Sequence, residues 1–501
     1  MKQLRFLHII FGMVCASYGF AQDSARIERA TLTNLSWQRA WENPANYGNA
    51  FQYSHSELTL NGNLEHSTSP FILEKGKGHR SIEAKAASYL RLSERTTIWG
   101  KASYLTGRNL GVSWNSTADY DLLAPYILAD SVGGNIERER YQFSGGYATS
   151  FGRWNLGAEL QFRAEQEWRK QDPRMKGVVA DLNLKLGATY LLGSYRLGTA
   201  LLGNVYKQSN DVDIYNELGG TGEYIMTGLG THYKRFSGAN TDVSYKGKGG
   251  ALLLSIVPIS GRGIVADAKF SRQNYERISD EYNSLPLTTL HNIKASTQLG
   301  YRFESKKGVL WLYGHYDILS QHGVEHVAGD AVLGDYPIIA DLTMYKHYAT
   351  KAYLGTTYTA KKQTEWSIGA KIGFVSNRSK YVYPHRKIEV SHFFSELSTH
   401  ILQPFAKQWL LDCGLTATYF GKNNNKIEMP YADIETSFTQ YINYNYSQLK
   451  SNRAEVKANI RTDYKLKTPR YGVFAELSGG IISNSEHTHS AVTSLTLGFS
   501  F

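Results

Sequence analysis

Closely spaced acidic and histidine side chains are the residues of this sequence that could carry acid–base chemistry. Two carboxylates or two imidazoles side by side can share the proton-donor and proton-acceptor roles of a hydrolase. The candidates are Asp119 with Asp121, Asp211 with Asp213, and His487 with His489. No recognisable partner motif accompanies any of them, and Asp pairs in polar connections are usually turn formers. The sequence therefore predicts no catalytic residues, and we expect the chain not to be an enzyme.

A second group of residues has the spacing of a metal site. His322 and His326 stand four residues apart with Glu325 between them, and on a helix both imidazoles would share one face. Gly323 and the lack of an apolar helical stripe disfavour a helix, so we predict a solvated loop and no metal. The run Gly219-Gly220-Thr221-Gly222 resembles a phosphate-binding loop, but no Gly-Lys-Ser/Thr ending follows it. We therefore predict no cofactor.

Composition excludes several classes of protein. With 42% hydrophobic and 13% aromatic residues among 501, the chain has enough apolar surface to fold. Beyond the first segment there is no apolar stretch of roughly 20 residues, which a helical membrane bundle would need. The formal net charge of +11 is spread along the chain, so we expect no nucleic-acid partner. The 35 Tyr and 46 Gly against only 11 Pro favour strands.

The N-terminus has the pattern of a secretory signal. Lys2 and Arg5 precede an apolar run, and Gly19-Phe20-Ala21 offers small residues before a cleavage site. We predict a signal peptide over residues 1–21, in preference to an anchoring helix or to a lipoprotein modified at Cys15. Cleavage leaves Cys413 as the one cysteine, which excludes an intramolecular disulfide.

Long stretches of the sequence alternate between apolar and polar residues. A period of two is typical of a strand with one apolar and one polar face. The clearest stretches are Trp154 to Ala164, Val178 to Tyr190, Trp366 to Phe374, Trp409 to Tyr419, and Ala454 to Tyr464. Several reach about 11 to 16 residues, whereas strands of soluble sheets usually have about 5 or 6. Such lengths suit a tilted crossing of a bilayer.

Short turns alternate with long polar connections along the chain. The predicted turns lie at 93–96, 150–153, 192–194, 258–261, 304–308, 360–363, 403–405 and 465–469, and the longest connections lie around 107–138, 208–242, 321–345 and 421–448. This asymmetry is typical of outer-membrane barrels, with turns in the periplasm and loops outside. We predict an all-β fold over residues 51–501, a transmembrane antiparallel up-and-down β-barrel of roughly 18 strands, range 14 to 22.

The two faces of the predicted strands assign residues to the interior and to the membrane interfaces. Charges cannot face lipid cheaply, so the predicted lumen-lining residues are Glu83, Lys85, Arg91, Glu159, Arg163, Asp181, Lys185, Glu455, Lys457, Arg461 and Asp463. Both signs occur within single strands, which indicates a hydrated, salt-bridged wall and says little about cargo. Aromatics beside the turns predict an interfacial girdle of Trp99, Trp154, Tyr190, Trp366, Trp409 and Tyr464.

Residues 22–50 do not alternate and form a separate region. They are expected to be a periplasmic extension or a plug inside the lumen, and the sequence leaves both open. Asn43-Pro44-Ala45 is similar to the N-terminal region of fatty-acid-transporter-like barrels, although ordinary turn chemistry also explains it. The strands begin near residue 51, which leaves no room for the plug domain of a TonB-dependent receptor.

Three segments carry a resemblance to a known family. They are the stretch Leu32 to Asn46, the start Ala21-Gln22-Asp23 and the end Gly498-Phe499-Ser500-Phe501. Together they resemble the outer-membrane barrels of Bacteroidota, in particular an uncharacterised family, domain of unknown function 6850. The ending, with Phe499 and Phe501 on one face, resembles the signal by which barrels reach their assembly machinery.

The fold and the resemblance imply a cell outer membrane location. The expected function is a passive or accessory transport channel for small solutes, in the neighbourhood of a surface nutrient-uptake system. The alternative is a structural or interaction barrel whose extracellular loops bind a surface partner. The expected partners are outer-membrane lipid, the barrel-assembly machinery and, left open, a TonB-dependent receptor or a surface lipoprotein.

Overall fold

Eighteen long antiparallel strands form one closed sheet in the computed structural model. The structure describes residues 22–216, 223–235, 241–361, 364–406, 408–430, 437–466 and 471–501. The predicted signal peptide and the run Gly219-Gly220-Thr221-Gly222 lie outside these residues. The strands are β1 His55–Ser67, β2 Gly78–Arg91, β3 Thr96–Val112, β4 Leu128–Ala129, β5 Gly134–Phe151, β6 Trp154–Arg169, β7 Arg174–Leu192, β8 Tyr195–Asp213, β9 Tyr224–Gly228, β10 Thr231–Tyr233, β11 Thr241–Pro258, β12 Gly263–Ser279, β13 Leu285–Glu304, β14 Gly308–Ala328, β15 Ile338–Ala360, β16 Glu365–Tyr381, β17 Arg386–Phe405, β18 Trp409–Glu428, β19 Arg453–Lys465, β20 Gly472–Asn484 and β21 His489–Ser500.

In the part of the chain that the structure describes, three short strands and four helices lie in the connections between the barrel strands or before the first of them. Strands β4, β9 and β10 form a separate three-stranded sheet. The helices are α1 Gln22–Ala30, α2 Pro44–Tyr47, α3 Tyr120–Leu123 and α4 Ser437–Lys450, with 3₁₀ turns at Leu32–Ser36, Ala40–Glu42 and Leu73–Lys75. Among the described residues, none of the helices is both long enough and apolar enough to span a membrane.

Closure of the sheet comes from the first and last strands. β1 pairs antiparallel with β2 on one side and with β21 on the other, so every barrel strand has two neighbours. The barrel strands follow one another in chain order, which is the up-and-down topology. The predicted all-β, up-and-down barrel of eighteen strands is confirmed.

Seven of the eight predicted turns fall between consecutive barrel strands, whereas residues 403–405 are the last residues of β17 and pair with β18. They lie at one end of the barrel, which we call the turn end, together with the start of β1 and the end of β21. The opposite end, the loop end, carries the longer connections. All four predicted long connections are shorter in the structure, at 113–133, 214–240, 329–337 and 429–452, because the flanking strands continue to pair.

This strand extension overturns one local prediction. His322 and His326 lie within β14 and pair in register with Lys346 and Asp341 of β15. The predicted solvated loop at these residues was therefore wrong. Gly323 fits the strand because a Cβ there would overlap the hydroxyl oxygen of Tyr126, which approaches from inside.

The outer face of the barrel is apolar and exposed. Leu58, Leu60 and Leu64 of β1 are between 46% and 52% exposed and alternate with polar residues that face inward. The same alternation places exposed apolar side chains on further strands, including Leu160, Leu184, Leu201, Leu254, Leu299, Leu354, Ile372, Leu397, Ile460, Leu477 and Leu497. A continuous belt of this kind needs an apolar solvent, which a bilayer provides.

Aromatic pairs stand on the outer face at the turn end. Trp154 packs on Tyr190 and Trp409 on Tyr464, with ring centroids 4.8 and 4.7 Å apart. Trp366 is also exposed on this face, against Tyr358. All five predicted girdle residues other than Trp99 therefore occupy outward positions beside turns.

Trp99 corrects the predicted girdle. It is buried on the inner face, and its Nε1 donates to Oε2 of Glu159 at 2.8 Å. Thr97 is buried on the inner face of β3. Trp99, two residues later, lies on the same face. Aromatic character alone did not distinguish a lipid-interface ring from one that packs inside the barrel.

Candidate functional site: the barrel interior

The N-terminal segment, residues 22–54, lies against the inner wall near the turn end. Leu32 packs on Leu402 and Leu410, and its backbone N–H donates to Glu365. Farther along, Ala40 and Trp37 pack on inward residues of β11, β12 and β14. The segment therefore passes along much of the inner circumference before it enters β1.

The Asn43-Pro44-Ala45 turn docks on the wall through close backbone contacts. Asn43 Oδ1 caps α2 by accepting from the N–H of Ala45 at 2.9 Å, and its Nδ2 donates to the carbonyl of Thr199 at 2.9 Å. A Cβ at Gly187 would overlap Oδ1 of Asn43 and reach Pro44. This glycine on β7 is therefore required by the approach of the segment.

Polar and aromatic contacts complete the docking. Arg39 Nε lies 2.6 Å from Oδ1 of Asp267, and Lys269 Nζ lies 2.8 Å from Oε2 of Glu42. Tyr47 packs edge-on against Trp99, with ring centroids 5.1 Å apart. The segment is held by side-chain contacts and contributes no strand to the barrel.

At the loop end of the barrel, the connection 113–133 folds inward and packs on the wall. Tyr126, Leu123 and Leu128 are almost fully buried in the largest apolar cluster, together with inward residues at the loop ends of the barrel strands. Strands β4, β9 and β10 lie in the same region. We call this assembly of inward-folded loops the loop cap.

Asp119 shows how the loop cap meets the wall. Its carboxylate pairs with Arg163 at 2.8 and 2.6 Å, a bidentate arrangement. Arg163 also reaches Glu165 at 2.6 Å and Asp181 at 3.3 Å. Asp119 points inward because its loop turns into the lumen, whereas Asp121, the other member of the pair, is exposed and pairs with Lys75.

A buried carboxylate ties three connections of the loop cap together. Glu74 accepts hydrogen bonds from the hydroxyls of Tyr441 and Tyr120 at 2.8 and 3.1 Å, and from Asn445 at 2.7 Å. Burial raises the pKa of this carboxyl above its usual range. Trp114 stacks on Tyr441 beside it. Three connections distant in sequence thus form one packed unit.

A second buried acid in the loop cap gives a pH prediction. Burial raises the pKa of Glu223 to about 8, with the charge of Asp130 as a further cause. Because the folded pKa lies above the unfolded value, the loop cap is most stable below the unfolded pKa. It loses stability as the pH rises toward 8.

We expect hydrogen exchange of residues 224–233 to accelerate between pH 6 and pH 9, after correction for intrinsic rates. Glu223→Gln should remove most of this dependence, since the amide has no proton to lose. Glu281→Gln, at a partly exposed acid of the same end, is the matched control. An unchanged pH dependence in Glu223→Gln would contradict the assignment.

The predicted lumen-lining residues all lie on inward-facing positions, and most are paired. Arg461 bonds Asp463 and Glu57, Lys185 lies 2.9 Å from Glu159, and Arg140 lies 3.6 Å from Glu83. Arg91 donates to the carbonyl of Phe51. The other three predicted lumen-lining residues are Lys85, Glu455 and Lys457, and they lie on the same inward faces of β2 and β19.

Sequence reasoning missed the inward folding of the connections and part of the interior charge. Leu122, Leu123, Ile127 and Leu128 form an apolar run inside a supposedly polar connection, and that run was the available signal. The charge of Lys101 would also have placed it inside, and strand parity would then have placed Trp99, two residues earlier, on the same inward face. Among the described residues, no group of three or more His, Cys, Asp or Glu side chains is placed to hold a metal ion.

The solved structures similar to this chain include outer-membrane barrels whose sequence identity to it is low. The ferric enterobactin receptor of Pseudomonas aeruginosa is 8% identical, with 89% of this chain and 80% of that chain covered and a TM-score of 0.38. The CymD monoaromatic hydrocarbon channel is 10% identical, with 93% of both chains covered and a TM-score of 0.32. The copper transporter OprC is 8% identical, with 89% and 80% covered and a TM-score of 0.39.

Comparison by sequence gives a family without an assigned activity. A search of curated proteins found no match. The model of the family of unknown function DUF6850 matches residues 44–501, from Pro44 of the docked turn to Phe501. This chain, an eighteen-stranded barrel with its N-terminal segment docked on the inner wall, belongs to the family of unknown function DUF6850.

Proposed function

We propose that this chain spans the bacterial outer membrane and admits small solutes through an interior that the N-terminal segment gates. The membrane assignment is supported by the exposed apolar belt and by the outward aromatic pairs at the turn end. The placement in Bacteroidota, which the sequence resemblance implies, belongs to the same proposal.

The docking of the N-terminal segment is the observation that carries the gating. A segment held by the Arg39–Asp267 pair, the Glu42–Lys269 pair and the Asn43 hydrogen bonds can leave the wall without breaking a strand pairing. Each partly exposed ion pair contributes only about 0–1 kcal/mol, so the two ion pairs add little to the apolar packing that holds the segment. The barrel itself would remain closed on release.

The interior between the N-terminal segment and the loop cap is polar and contains water-accessible side chains. Lys85, Lys101 and Lys457 face inward and are exposed. Charged groups in such positions need water or a charged solute. This arrangement supports a hydrated chamber, in place of the permanently open channel of a general porin.

Planar-bilayer conductance tests the proposal. The chain without residues 1–21 should show long closed periods, and a variant that also lacks residues 22–50 should show stable open steps. Retained heat-modifiable mobility on gels serves as the folding control. No conductance from either form, together with no uptake defect on gene deletion, would remove the transport proposal.

A structural or interaction barrel is the second candidate function. Residues 338–343 of β15 are all exposed and pair only with β14, because pairing with β16 begins at Tyr345. An unpaired edge of this kind can accept a strand from another protein. A TonB-dependent receptor or a surface lipoprotein is the proposed class of partner.

Ile339→Asp on this edge should abolish a stoichiometric partner that co-purifies in gentle detergent. Val132→Asp, at an exposed position of the loop cap, should leave the complex intact. A barrel that always purifies alone would count against the interaction role.

A further inference from the structure

The interior carries positive charge that no carboxylate neutralises. Lys85, Lys101, Lys294 and Lys351 face inward, and none of them forms an ion pair among the described residues. The inward carboxylates at similar depth are largely engaged: Glu159 by Lys185, Asp181 by Arg163 and Glu396 by Lys371. Glu476 lies opposite Arg461 in the strand register. The mixed signs of the sequence thus leave a basic chamber.

A separate cavity at the turn end contains an arginine without an ion pair among the described residues. It lies between the N-terminal segment and the strands β8, β11 and β13, and it has a volume of about 460 Å³. Its wall includes Arg196, whose guanidinium has no ion pair in the described part of the chain and whose buried Nε has no hydrogen-bond partner. A cation left without a partner in a cavity indicates a place for an anion.

The Nε atoms of Arg196 and of Arg302, the other arginine of the cavity, are both buried without a partner, but among the described residues only Arg302 forms an ion pair. Arg302 is paired with Glu304 and donates to the carbonyl of Gly261, and its guanidinium stands over the ring of Trp37 at 4.9 Å. Its charge is therefore already used within the protein. The planar guanidinium of Arg196 remains available for a carboxylate, which it can bind through two parallel hydrogen bonds.

The rest of the lining suits a polyhydroxylated body. Trp37 and Trp41 contribute indole rings, and Asn34, Asn49 and Gln52 contribute side-chain amides. Amides donate and accept hydrogen bonds as hydroxyl groups require, while indole faces pack against the C–H faces of sugar rings. Aromatic surface combined with a few polar groups is the usual composition of a small-molecule site.

We propose that this cavity binds an acidic saccharide, with its carboxylate on Arg196 and its sugar rings against Trp37 and Trp41. Because the cavity borders the N-terminal segment, a bound saccharide contacts the gate itself. The inference names the substrate class of the proposed transport function and in that sense rests on it.

Binding of digalacturonate to the detergent-solubilised chain without residues 1–21, measured by isothermal titration calorimetry, tests the site. The native chain should bind digalacturonate at least about tenfold more tightly than the neutral galactose disaccharide, because a charge-assisted pair is lost in the latter. Arg196→Gln should lose the same factor, whereas Arg153→Gln, at an exposed turn arginine of the same end, should bind as the native chain does.

Equal binding of the acidic and the neutral disaccharide would overturn the proposal, as would an unchanged affinity in Arg196→Gln. Absence of digalacturonate binding to the native chain would also overturn it. The measurement involves no flux, so its failure leaves the conductance test of the proposed function intact. Conversely, binding without conductance would retain the site and remove the gate.

Discussion

Gly187→Leu should open the barrel. A side chain at this position enters the space that Asn43 and Pro44 occupy in the docked segment. Overpacking of this kind costs about 1–3 kcal/mol, which shifts the ratio of released to docked segments by roughly 5- to 150-fold. We expect the open probability in planar bilayers to rise within that range.

Gly203→Leu provides a matched control for this substitution. Gly203 stands on the adjacent strand β8, and a Cβ there meets no atom within 4 Å. The added leucine would join the apolar belt on the outer face and leave the segment undisturbed. Equal conductance of Gly187→Leu, Gly203→Leu and the native chain would show that the docked turn does not obstruct the pathway.

Asp130→Ala should release the connection 113–133 from the loop cap. Asp130 and Arg169 are both fully buried and lie 2.5 Å apart, and Asp130 also accepts from Ser116 and from the N–H of Gly133. Removal of one partner leaves a buried guanidinium uncompensated, which costs about 3–5 kcal/mol. We expect hydrogen exchange within 113–133 to accelerate by orders of magnitude while the barrel strands keep their protection.

The exposed ion pair of Asp121 and Lys75 in the loop cap provides the control for Asp130→Ala. Asp121→Ala removes the contact with Lys75, in which both side chains are at least half exposed, so a change of about 0–1 kcal/mol is expected. The double substitution of Arg169→Met with Asp130→Leu should recover much of the lost protection, since it removes both buried charges. Similar exchange in Asp130→Ala and Asp121→Ala would contradict the role of the buried pair.

The architecture of the wall followed from the sequence because its causes are local. Strand residues such as Leu58 and Leu60 alternate with polar neighbours, and each turn is marked by a short polar break between alternating runs. Lipid on one side and water on the other impose a period of two on every strand. This made the strand number, most of the turn positions and the inward charges predictable.

The contents of the barrel depend on contacts between residues distant in sequence. Nothing near Trp99 indicates that Tyr47 will pack against it from inside, and nothing near Arg169 indicates that Asp130 will fold back to meet it. The difference between a lumen with mixed charge and a basic chamber also depends on which charges pair. Among the described residues, Lys101 and Arg196 are left without an ion pair because the neighbouring carboxylates pair with other residues, and the sequence does not show this.

Docking of the N-terminal segment inside the barrel is tested most directly by cysteine accessibility. In a Cys413→Ser background, Ala45→Cys reports a fully buried position and Leu35→Cys a position of the same segment that is 44% exposed. With the folded chain in detergent micelles, a maleimide reagent should label Leu35→Cys rapidly and Ala45→Cys at least about a hundredfold more slowly, since labelling of the latter waits for release. Equal labelling rates at the two positions would show that the segment does not occupy the interior.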